Sequence, residues 1–388
     1  MRSLLLCILA VIGLRLQAAD TVRICSYNTL KYSAANEDGR IPKFARIMDS
    51  IRPDILICEE VEDASLGPRF ITDVLTYAPF ASSQFTDGPD SDCMLLYDQQ
   101  KFSLIDTRYI ATELRNIAEY TLETIPSNGL RPDTLVIYGM HLKASDDAQS
   151  IAQRQREVRT LMQNITTHSY VVLCGDFNIY GPTEASYVDL TGTSATRRFV
   201  DPLGSAWKRN STEWLRYYTQ ATRSTGDGAC GGGGGGGLDD RFDYILLSEA
   251  LAPRHVNGSY RAFGNDGLDR RNGTIVDPPN TAVPREMAED LRCASDHLPI
   301  VCRLVLGDVG ASVDEERVAA PSISVDSNRL TLRGLTAGRT YSILDVRGRT
   351  LIARYVKTSV ETWDISRLSN GSYVLHDGHA GTVFTVVR

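Results

Sequence analysis

The chain has 388 residues, of which 42% are hydrophobic and 23% are charged, and its formal net charge is −7. This composition supports a substantial buried core and excludes a chain that is disordered overall. The acidic balance excludes a strongly basic surface of the kind that binds nucleic acid tightly without sequence preference. It does not exclude phosphate-bearing substrates, because a bound cation and local basic loops can offset the negative charge.

Residues 1–19 resemble a secretion signal. A positive start at Met1-Arg2 precedes an apolar run from Leu4 to Leu14 that is short for a membrane span, and Ala18-Ala19 offers small residues for cleavage. The alternative is a buried N-terminal helix. We expect export of a mature chain with no stable membrane span.

Segments of strand and helix character alternate after the signal. The strand-like runs are short and rich in aliphatic residues, and they are Val22–Tyr27, Asp54–Cys58, Met94–Tyr97, Leu135–Met140, Val171–Cys174, Tyr244–Leu247 and Ile300–Leu306. The spacing of apolar residues predicts helices over Arg40–Ser50 and Asp146–Asn164. This mixture indicates an α/β or α+β layered domain over residues 20–306.

Two loops of this domain have unusual compositions. Residues 199–223 interleave tryptophan and tyrosine with arginine and lysine, which can stack on bases and contact phosphates. The alternative is a surface excursion whose rings pack against the domain, and the sequence leaves both open. Gly231–Gly237 is a run of seven glycines, which predicts a flexible linker within a loop. A phosphate-cradling role is the alternative, but the run lacks the Lys-Ser/Thr ending of a P-loop.

The composition changes after Leu306. Residues 307–320 are rich in Gly, Asp, Glu and Ala without apolar periodicity, which predicts a linker. Residues 321–388 contain short alternating strands separated by turn signals such as Asn370-Gly371. They predict a small all-β sandwich module without a cluster of catalytic groups.

Polar groups recur where strand-like runs of the main domain end or begin. The motifs are Ser26-Tyr27-Asn28-Thr29-Leu30, Cys58-Glu59-Glu60-Val61, Met140-His141-Leu142-Lys143, Gly175-Asp176-Phe177-Asn178, Arg241-Phe242-Asp243-Tyr244 and Ser295-Asp296-His297-Leu298-Pro299-Ile300. Each motif alone is weak evidence, since such residues are more often helix caps or structural hydrogen-bonding groups. Six together predict one shared site, and their oxygen atoms favour a hard divalent cation.

In this order the strings SYNTL, CEEV, MHLK, GDFN, RFDYI and SDHLPI resemble the endonuclease/exonuclease/phosphatase superfamily, the DNase I-like fold, from about Val22 to Leu306. The resemblance implies a four-layer sandwich of two packed β-sheets flanked by helices. It implies Glu60 as the principal metal ligand, assisted by Asn28 and Asp296. Strand alternation allows only one of Glu59 and Glu60 to face the site, and the pattern favours Glu60.

The resemblance also implies catalytic roles. Asp176 would orient or deprotonate the attacking water, Asn178 would hold a phosphate oxygen, and His141 would stabilise developing charge. His297, oriented by Asp243 or Asp296, would bind the scissile phosphate or transfer a proton, and the acidic groups beside it should favour its protonated form.

Three further residues are candidate substrate contacts, namely Arg115, Arg241 and Tyr218. For Arg115 the alternative is a surface ion pair. Two cysteines in polar loops flank the predicted site, and a disulfide between Cys230 and Cys293 is a hypothesis consistent with an oxidising compartment. The remaining cysteines of the mature chain lie in apolar runs and predict buried thiols; they are Cys25, Cys58, Cys93, Cys174 and Cys302.

The terminal module has a resemblance of its own. Tyr341–Arg349, Trp363–Ser366 and Leu368–Leu375 resemble the C-terminal sorting domain of type IX secreted proteins, although the usual strongly basic ending is missing. The resemblance implies the secretion machinery as a partner and a secreted or cell-surface location in a bacterium. The alternative is a carbohydrate- or protein-binding module.

These observations predict an exported, metal-dependent phosphoric ester hydrolase, a nuclease-like phosphodiesterase that acts as a monomer on nucleic acid or another phosphoester. We expect Mg²⁺ as the cofactor, with Mn²⁺ or Ca²⁺ as alternatives. A phosphatase or a sphingomyelinase-type phospholipase of the same superfamily is the alternative enzyme. A surface binding protein without turnover is the alternative from another class.

Overall fold

The computed structural model describes residues 20–37, 39–126, 131–195, 197–226, 230, 232–306, 322–326, 328–335, 340–345, 349–376 and 381–386. The predicted signal, residues 1–19, and the predicted linker, residues 307–320, lie outside the described residues. The described residues fall into two compact units, one up to residue 306 and one from residue 322. Within the described residues, no helix is long and apolar enough to cross a membrane.

The described part of the first unit contains two six-stranded β-sheets. The first sheet consists of β1 (Asp20–Tyr32), β2 (Ile55–Val61), β3 (Phe80–Ser82), β4 (Asp92–Asp98), β11 (Arg261–Ala262) and β12 (Ile300–Leu306), in the order β11-β12-β1-β2-β4-β3. The second consists of β5 (Phe102–Ile110), β6 (Ile117–Thr124), β7 (Thr134–His141), β8 (Tyr170–Asp176), β9 (Phe199–Val200) and β10 (Asp243–Ser248), in the order β5-β6-β7-β8-β10-β9.

Five α-helices are described, namely α1 (Ile41–Ile51), α2 (Leu66–Arg69), α3 (Ala148–Asn164), α4 (Ala185–Thr191) and α5 (Arg285–Ala294). The start of α3 follows from its cap, because the Asp147 side chain accepts hydrogen bonds from the backbone N–H groups of Gln149 and Ser150. The apolar stripe predicted for the first helix is buried, with Phe44 and Ile47 inaccessible to solvent.

The central strands are buried on both faces, which explains their continuous apolar runs. Along β7, Leu135 and Ile137 belong to the core between the two sheets, whereas Val136 and Tyr138 belong to a second core that α3 and α4 cover. Helices α1 and α5 contribute to the core of the first sheet. The layers are therefore helix, sheet, sheet and helix, and the predicted fold class is confirmed.

The second unit is all β. One sheet pairs β13 (Ser322–Asp326), β14 (Arg329–Arg333) and β17 (Val360–Asp364), and the other pairs β16 (Thr350–Tyr355), β15 (Thr340–Leu344), β18 (Gly371–His376) and β19 (Gly381–Val386), in that order. Their inner faces form one core around Trp363 and Ile343.

Candidate active site

Strand register brings the predicted polar groups together at one end of the two sheets. In the parallel pair β7–β8, His141 lies opposite Asp176, and in the antiparallel pair β8–β10, Asp176 lies opposite Asp243. In the facing sheet, Asn28 of β1 pairs with Glu59 of β2. The side chains at this end are almost completely buried.

A local irregularity directs Glu60 into this site. The pairing of β1 with β2 shifts register between Asn28 and Tyr32, and Glu60 has a φ of 56°. Its Oε1 accepts a hydrogen bond of 3.0 Å from Asn28 Nδ2, and its Oε2 accepts one of 3.0 Å from the backbone N–H of Lys31. Two donors therefore fix both oxygens of the carboxylate that the sequence favoured.

The neighbouring Glu59 points into the protein interior and is completely buried. Its Oε1 accepts a 2.6 Å hydrogen bond from Ser26 Oγ, and its Oε2 has no partner among the described residues. Burial, reinforced by the charges of Asp243 and Asp176 against the hydrogen bond from Ser26, raises the pKa of Glu59 well above 4.5. Glu59 is therefore a neutral carboxylic acid beneath the site.

Three side chains can hold a divalent cation. Glu60, His141 and Asp176 each offer a ligand atom, and these atoms lie within 4.8 Å of one another. His141 Nε2 is 3.5 Å from Asp176 Oδ2 and 4.0 Å from Glu60 Oε1. Two carboxylates and one imidazole form a donor set that suits Mn²⁺ as well as Mg²⁺, so the residues present fit the implied metal.

Asn28 bridges the two carboxylates instead of presenting its amide oxygen to them. Its Nδ2 also donates to Asp176 Oδ2 at 3.2 Å, while its Oδ1 accepts from the backbone N–H of Leu30 at 2.9 Å. In this arrangement Asn28 positions Glu60 and Asp176, and direct binding of a metal through its amide oxygen would require the amide to turn.

His297 and Asp243 form a buried pair. His297 Nδ1 lies 2.8 Å from Asp243 Oδ2, and His297 Nε2 lies 3.6 Å from Asp176 Oδ2. Burial disfavours the charged ring, but the carboxylates of Asp243, Asp176 and Asp296 outweigh burial and raise the pKa of His297 well above 6.5. The Asp243 carboxylate therefore holds the ring, and the surrounding charge favours its protonated form, the direction that the sequence predicted.

Burial shifts the pKa values of Asp176 and His141 in opposite directions. Burial raises the pKa of Asp176 to about 7, with Asp243 and Glu60 acting in the same direction and the charge of His297 opposing them. Burial lowers the pKa of His141 well below 6.5, and the nearby positive charges of Arg115 and His297 add to this effect. His141 is therefore a neutral imidazole in the free protein, so it can donate one hydrogen bond or bind a cation.

Backbone geometry fixes the Asp176 segment. Gly175 has a φ of 135°, and a Cβ at this position would lie 1.9 Å from the carbonyl oxygen of Met140, so only glycine fits. Asn178 has a φ of 50°; its backbone N–H donates to Asp176 Oδ1 at 3.0 Å, and its Nδ2 donates to the Leu142 carbonyl at 3.1 Å. The turn therefore places Asn178 directly beside Asp176.

Asp296 lies beside His297 but outside the cation-binding group. Its Oδ2 accepts hydrogen bonds from Gln220 Nε2 at 3.0 Å and from the backbone N–H of Gly234 at 2.6 Å. Its Oδ1 has no partner in the described part of the chain. No motif in the sequence pointed to Gln220, which follows Tyr218-Thr219.

Two predicted substrate contacts do not reach the site. Arg241 is buried and forms two hydrogen bonds with Asp201, at 2.7 and 2.9 Å. The Tyr218 ring is buried, and its hydroxyl donates to the Lys208 carbonyl at 2.8 Å and accepts from the Ser211 N–H at 2.6 Å. Their polar groups pair with Asp201 and with backbone groups instead of facing the site, so both predictions are corrected to structural roles.

Arg115 stays at the rim of the site. Its Nη1 lies 3.4 Å from the His141 carbonyl oxygen, and its Nη2 lies 2.7 Å from Asp90. The ion pair that the sequence offered as an alternative is therefore present, and contact with substrate remains a prediction.

The aromatic and basic loop mostly packs against the domain. The Trp207 ring is buried with those of Tyr187 and Tyr244, and Arg209 lies over the Tyr180 ring while its guanidinium pairs with Asp240. Of the two interpretations of this loop, the packed one accounts for its buried rings.

The cysteine predictions agree with the structure. Cys230 and Cys293 form a disulfide, which joins the glycine loop to the end of α5. The predicted free thiols, Cys25, Cys58, Cys93, Cys174 and Cys302, are all buried.

Solved structures with a similar fold include three from different sources. D. rerio TDP2 complexed with single strand DNA product has a TM-score of 0.49 and 16% identity, and the match covers 73% of this chain and 98% of that one. An endonuclease/exonuclease/phosphatase family protein from Bacteroides thetaiotaomicron has a TM-score of 0.47 and 14% identity, and the match covers 75% of this chain and 99% of that one. The human Nocturnin catalytic domain with bound sulfate anion has a TM-score of 0.42 and 20% identity, and the match covers 74% of this chain and 96% of that one. No curated protein matches the sequence significantly.

Two packed sheets whose strand ends supply carboxylate, amide and imidazole groups define a DNase I-like protein. The model of the Endonuclease/Exonuclease/phosphatase family matches residues 25–297. The chain therefore belongs to this family, and its membership of the family supports a hydrolase role.

Proposed function

We propose that the protein is an exported, metal-dependent phosphodiesterase whose preferred substrate is nucleic acid. The observation that carries the proposal is the convergence of the Glu60, His141 and Asp176 group with the His297–Asp243 pair in one buried site. Phosphodiester hydrolysis needs these components: a base for water, a cation site and a donor to phosphate oxygen.

The residues of the site have separate proposed roles in binding the cation, activating water and contacting the phosphate. A divalent cation, Mg²⁺ as our first choice, would be held by Glu60 and Asp176 with His141 beside them, and when bound it would polarise the phosphate. Asp176 would also orient the attacking water, and its carboxylate can serve as the base that takes the proton. His297 in its charged form can donate from Nε2 to a phosphate oxygen, while Asp243 holds its other nitrogen.

The preference for nucleic acid now rests on fewer observations. The aromatic and basic loop that favoured it packs largely into the domain, which leaves the expected export as its support. A phosphomonoester or sphingomyelin would require the same cation and the same imidazolium, so these substrates form the competing arms of the test. Export through residues 1–19 and sorting through the terminal β module are part of the proposal.

The test incubates the purified full chain with plasmid DNA, RNA, sphingomyelin and a phosphomonoester, each with Mg²⁺, Mn²⁺ or Ca²⁺ and with chelator. We expect chelator-sensitive cleavage of nucleic acid that is lost in His297→Ala. Turnover of sphingomyelin or of the monoester alone would replace the nuclease proposal with the corresponding alternative. Turnover of no substrate would favour a binding protein.

A further inference from the structure

Gln220 makes a contact that the mechanism above does not use. Its backbone bridges to both Asp240 and His297, which places its side chain beside the active site. Its Nε2 lies 2.8 Å from His297 Nε2 and 3.0 Å from Asp296 Oδ2. One carboxamide therefore contacts two adjacent residues of the site at the same time.

The glycine loop, Gly232–Gly237 in the described residues, closes on the same two side chains. The Gly234 N–H donates to Asp296 Oδ2, and a Cβ at Gly234 would lie 3.0 Å from that oxygen and 3.1 Å from Gln220 Nε2. A Cβ at Gly233 would lie 2.8 Å from Asp296 Cγ. Side chains are excluded here because the loop backbone itself packs against Asp296.

Both ends of this loop are held. Near its start, Arg223 donates to the Gly232 carbonyl and, at 2.6 Å, to the Arg292 carbonyl, and the Cys230–Cys293 disulfide joins the same two segments. At its end, the Gly237 N–H donates to the Arg223 carbonyl at 3.0 Å. The flexible linker that the glycine run predicted is thus a packed wall of the site.

We propose that Gln220 and the glycine loop form a clamp that positions Asp296 and His297 for the reaction, with Gln220 as the positioning residue. A carboxamide suits this place, because its Nε2 can donate to Asp296 Oδ2 while the same group stays in hydrogen-bonding contact with the His297 ring. The Gly234 N–H donates to the same Asp296 oxygen, so the loop and Gln220 hold this carboxylate together. Neither alanine nor glutamate offers both contacts.

The kinetic test rests on the proposed function and uses the full chain with bis(p-nitrophenyl) phosphate and Mg²⁺. Gln220→Ala should lower kcat about 10–100-fold with little change in KM, as expected for a residue that positions catalytic groups. Gly234→Ala should act in the same direction, because its methyl group would push on Asp296 and Gln220 without a positive φ to strain. Gly39→Ala is the control, since a Cβ at Gly39 meets nothing within 4 Å.

A double variant separates the clamp from general damage. If the methyl group of Gly234→Ala acts through Gln220, its effect on kcat should be smaller in the Gln220→Ala background than in the wild type. Equal and independent effects in the two backgrounds would overturn the clamp as a unit.

A second readout does not depend on turnover. The ring ¹H and ¹⁵N signals of His297, identified by their loss in His297→Ala, should shift in Gln220→Ala and Gly234→Ala but not in Gly39→Ala. If the wild type hydrolyses no phosphodiester but the ring signals still shift in the two variants, the proposed function is refuted and the clamp is supported. Unchanged ring signals together with an unchanged kcat in Gln220→Ala would overturn the clamp while leaving the proposed function standing.

Discussion

The adjacent acids Glu59 and Glu60 should respond in opposite ways to the same substitution. Glu59→Gln replaces a buried carboxylic acid, whose Oε1 accepts from Ser26, with a neutral group of the same shape. Glu60→Gln removes a charge from the group that can hold the cation. The first change should affect stability and the second should affect catalysis.

The size of the Glu59 effect follows from proton linkage. The folded state keeps the proton on Glu59 above pH 4.5, where the unfolded chain releases it, because the pKa of Glu59 is raised well above this ordinary value. The wild type therefore loses stability as pH rises through this window, by up to about 1.4 kcal/mol per pH unit. Glu59→Gln should remove this loss, because the amide carries no titrating proton.

Glu60→Gln should leave stability nearly unchanged, since the Glu60 side chain is partly exposed and its amide oxygen can still accept from Asn28. Its kcat should fall at least about 10²-fold, the lower end of what a catalytic group contributes, and binding of Mn²⁺ measured by calorimetry should weaken.

The assay is urea unfolding of the wild type and both variants at pH 4.5, 5.5 and 6.5 with chelator present, alongside diester hydrolysis. The stability of Glu59→Gln should match the wild type at the lowest pH and exceed it increasingly at higher pH. Parallel stability curves for the wild type and Glu59→Gln would refute a neutral Glu59. A kcat loss in Glu59→Gln as large as that in Glu60→Gln would refute the assignment of the two acids.

Three further changes test other parts of the domain. Asp243→Asn should lower kcat about 10²–10⁴-fold while the fold persists by circular dichroism, because it removes the charge that holds the catalytic imidazolium; activity near the wild-type value would contradict the pair. Replacing Cys230 and Cys293 with serine should cost about 4 kcal/mol in urea unfolding, the chain-entropy value for a bridge spanning 63 residues, and an unchanged midpoint would argue against the bridge. Gly175→Ala should reduce soluble yield and unfolding free energy by several kcal/mol, because its methyl group meets backbone at 1.9 Å; wild-type stability would show that β7 can move aside.

The strand ends were the most informative part of the sequence. Apolar runs such as Leu135–Met140 and Val171–Cys174 predicted central strands, because residues buried on both faces leave no polar alternation. The polar groups that follow these runs, including His141 and Asp176, then meet because neighbouring strands are in register. The edge strand β5 and helix α5 were not predicted, since β5 is largely exposed and α5 buries only one large apolar side chain, Leu291.

Other features depended on contacts between distant segments. Composition alone could not distinguish an arginine that faces substrate from Arg241, whose charge is neutralised by Asp201 forty residues earlier. The glycine run was misinterpreted for a related reason, because the absence of side chains can mean flexibility or a lack of space. The carboxylate of Asp296 decides between these meanings, and it lies 62 residues further along the chain from Gly234.

Backbone strain links the family motifs to the chemistry of the site. Glu60, with a φ of 56°, and Asn178, with a φ of 50°, adopt the left-handed conformation that costs a non-glycine residue about 1–3 kcal/mol. Leu30 and Lys31, which face Glu60 across the irregular pairing of β1 and β2, adopt it as well. Regular strands would alternate the side chains of Glu59 and Glu60 but would not bring the backbone N–H of Lys31 onto the Glu60 carboxylate. The left-handed residues within β1 and β2 therefore stabilise a carboxylate geometry that regular strands could not provide.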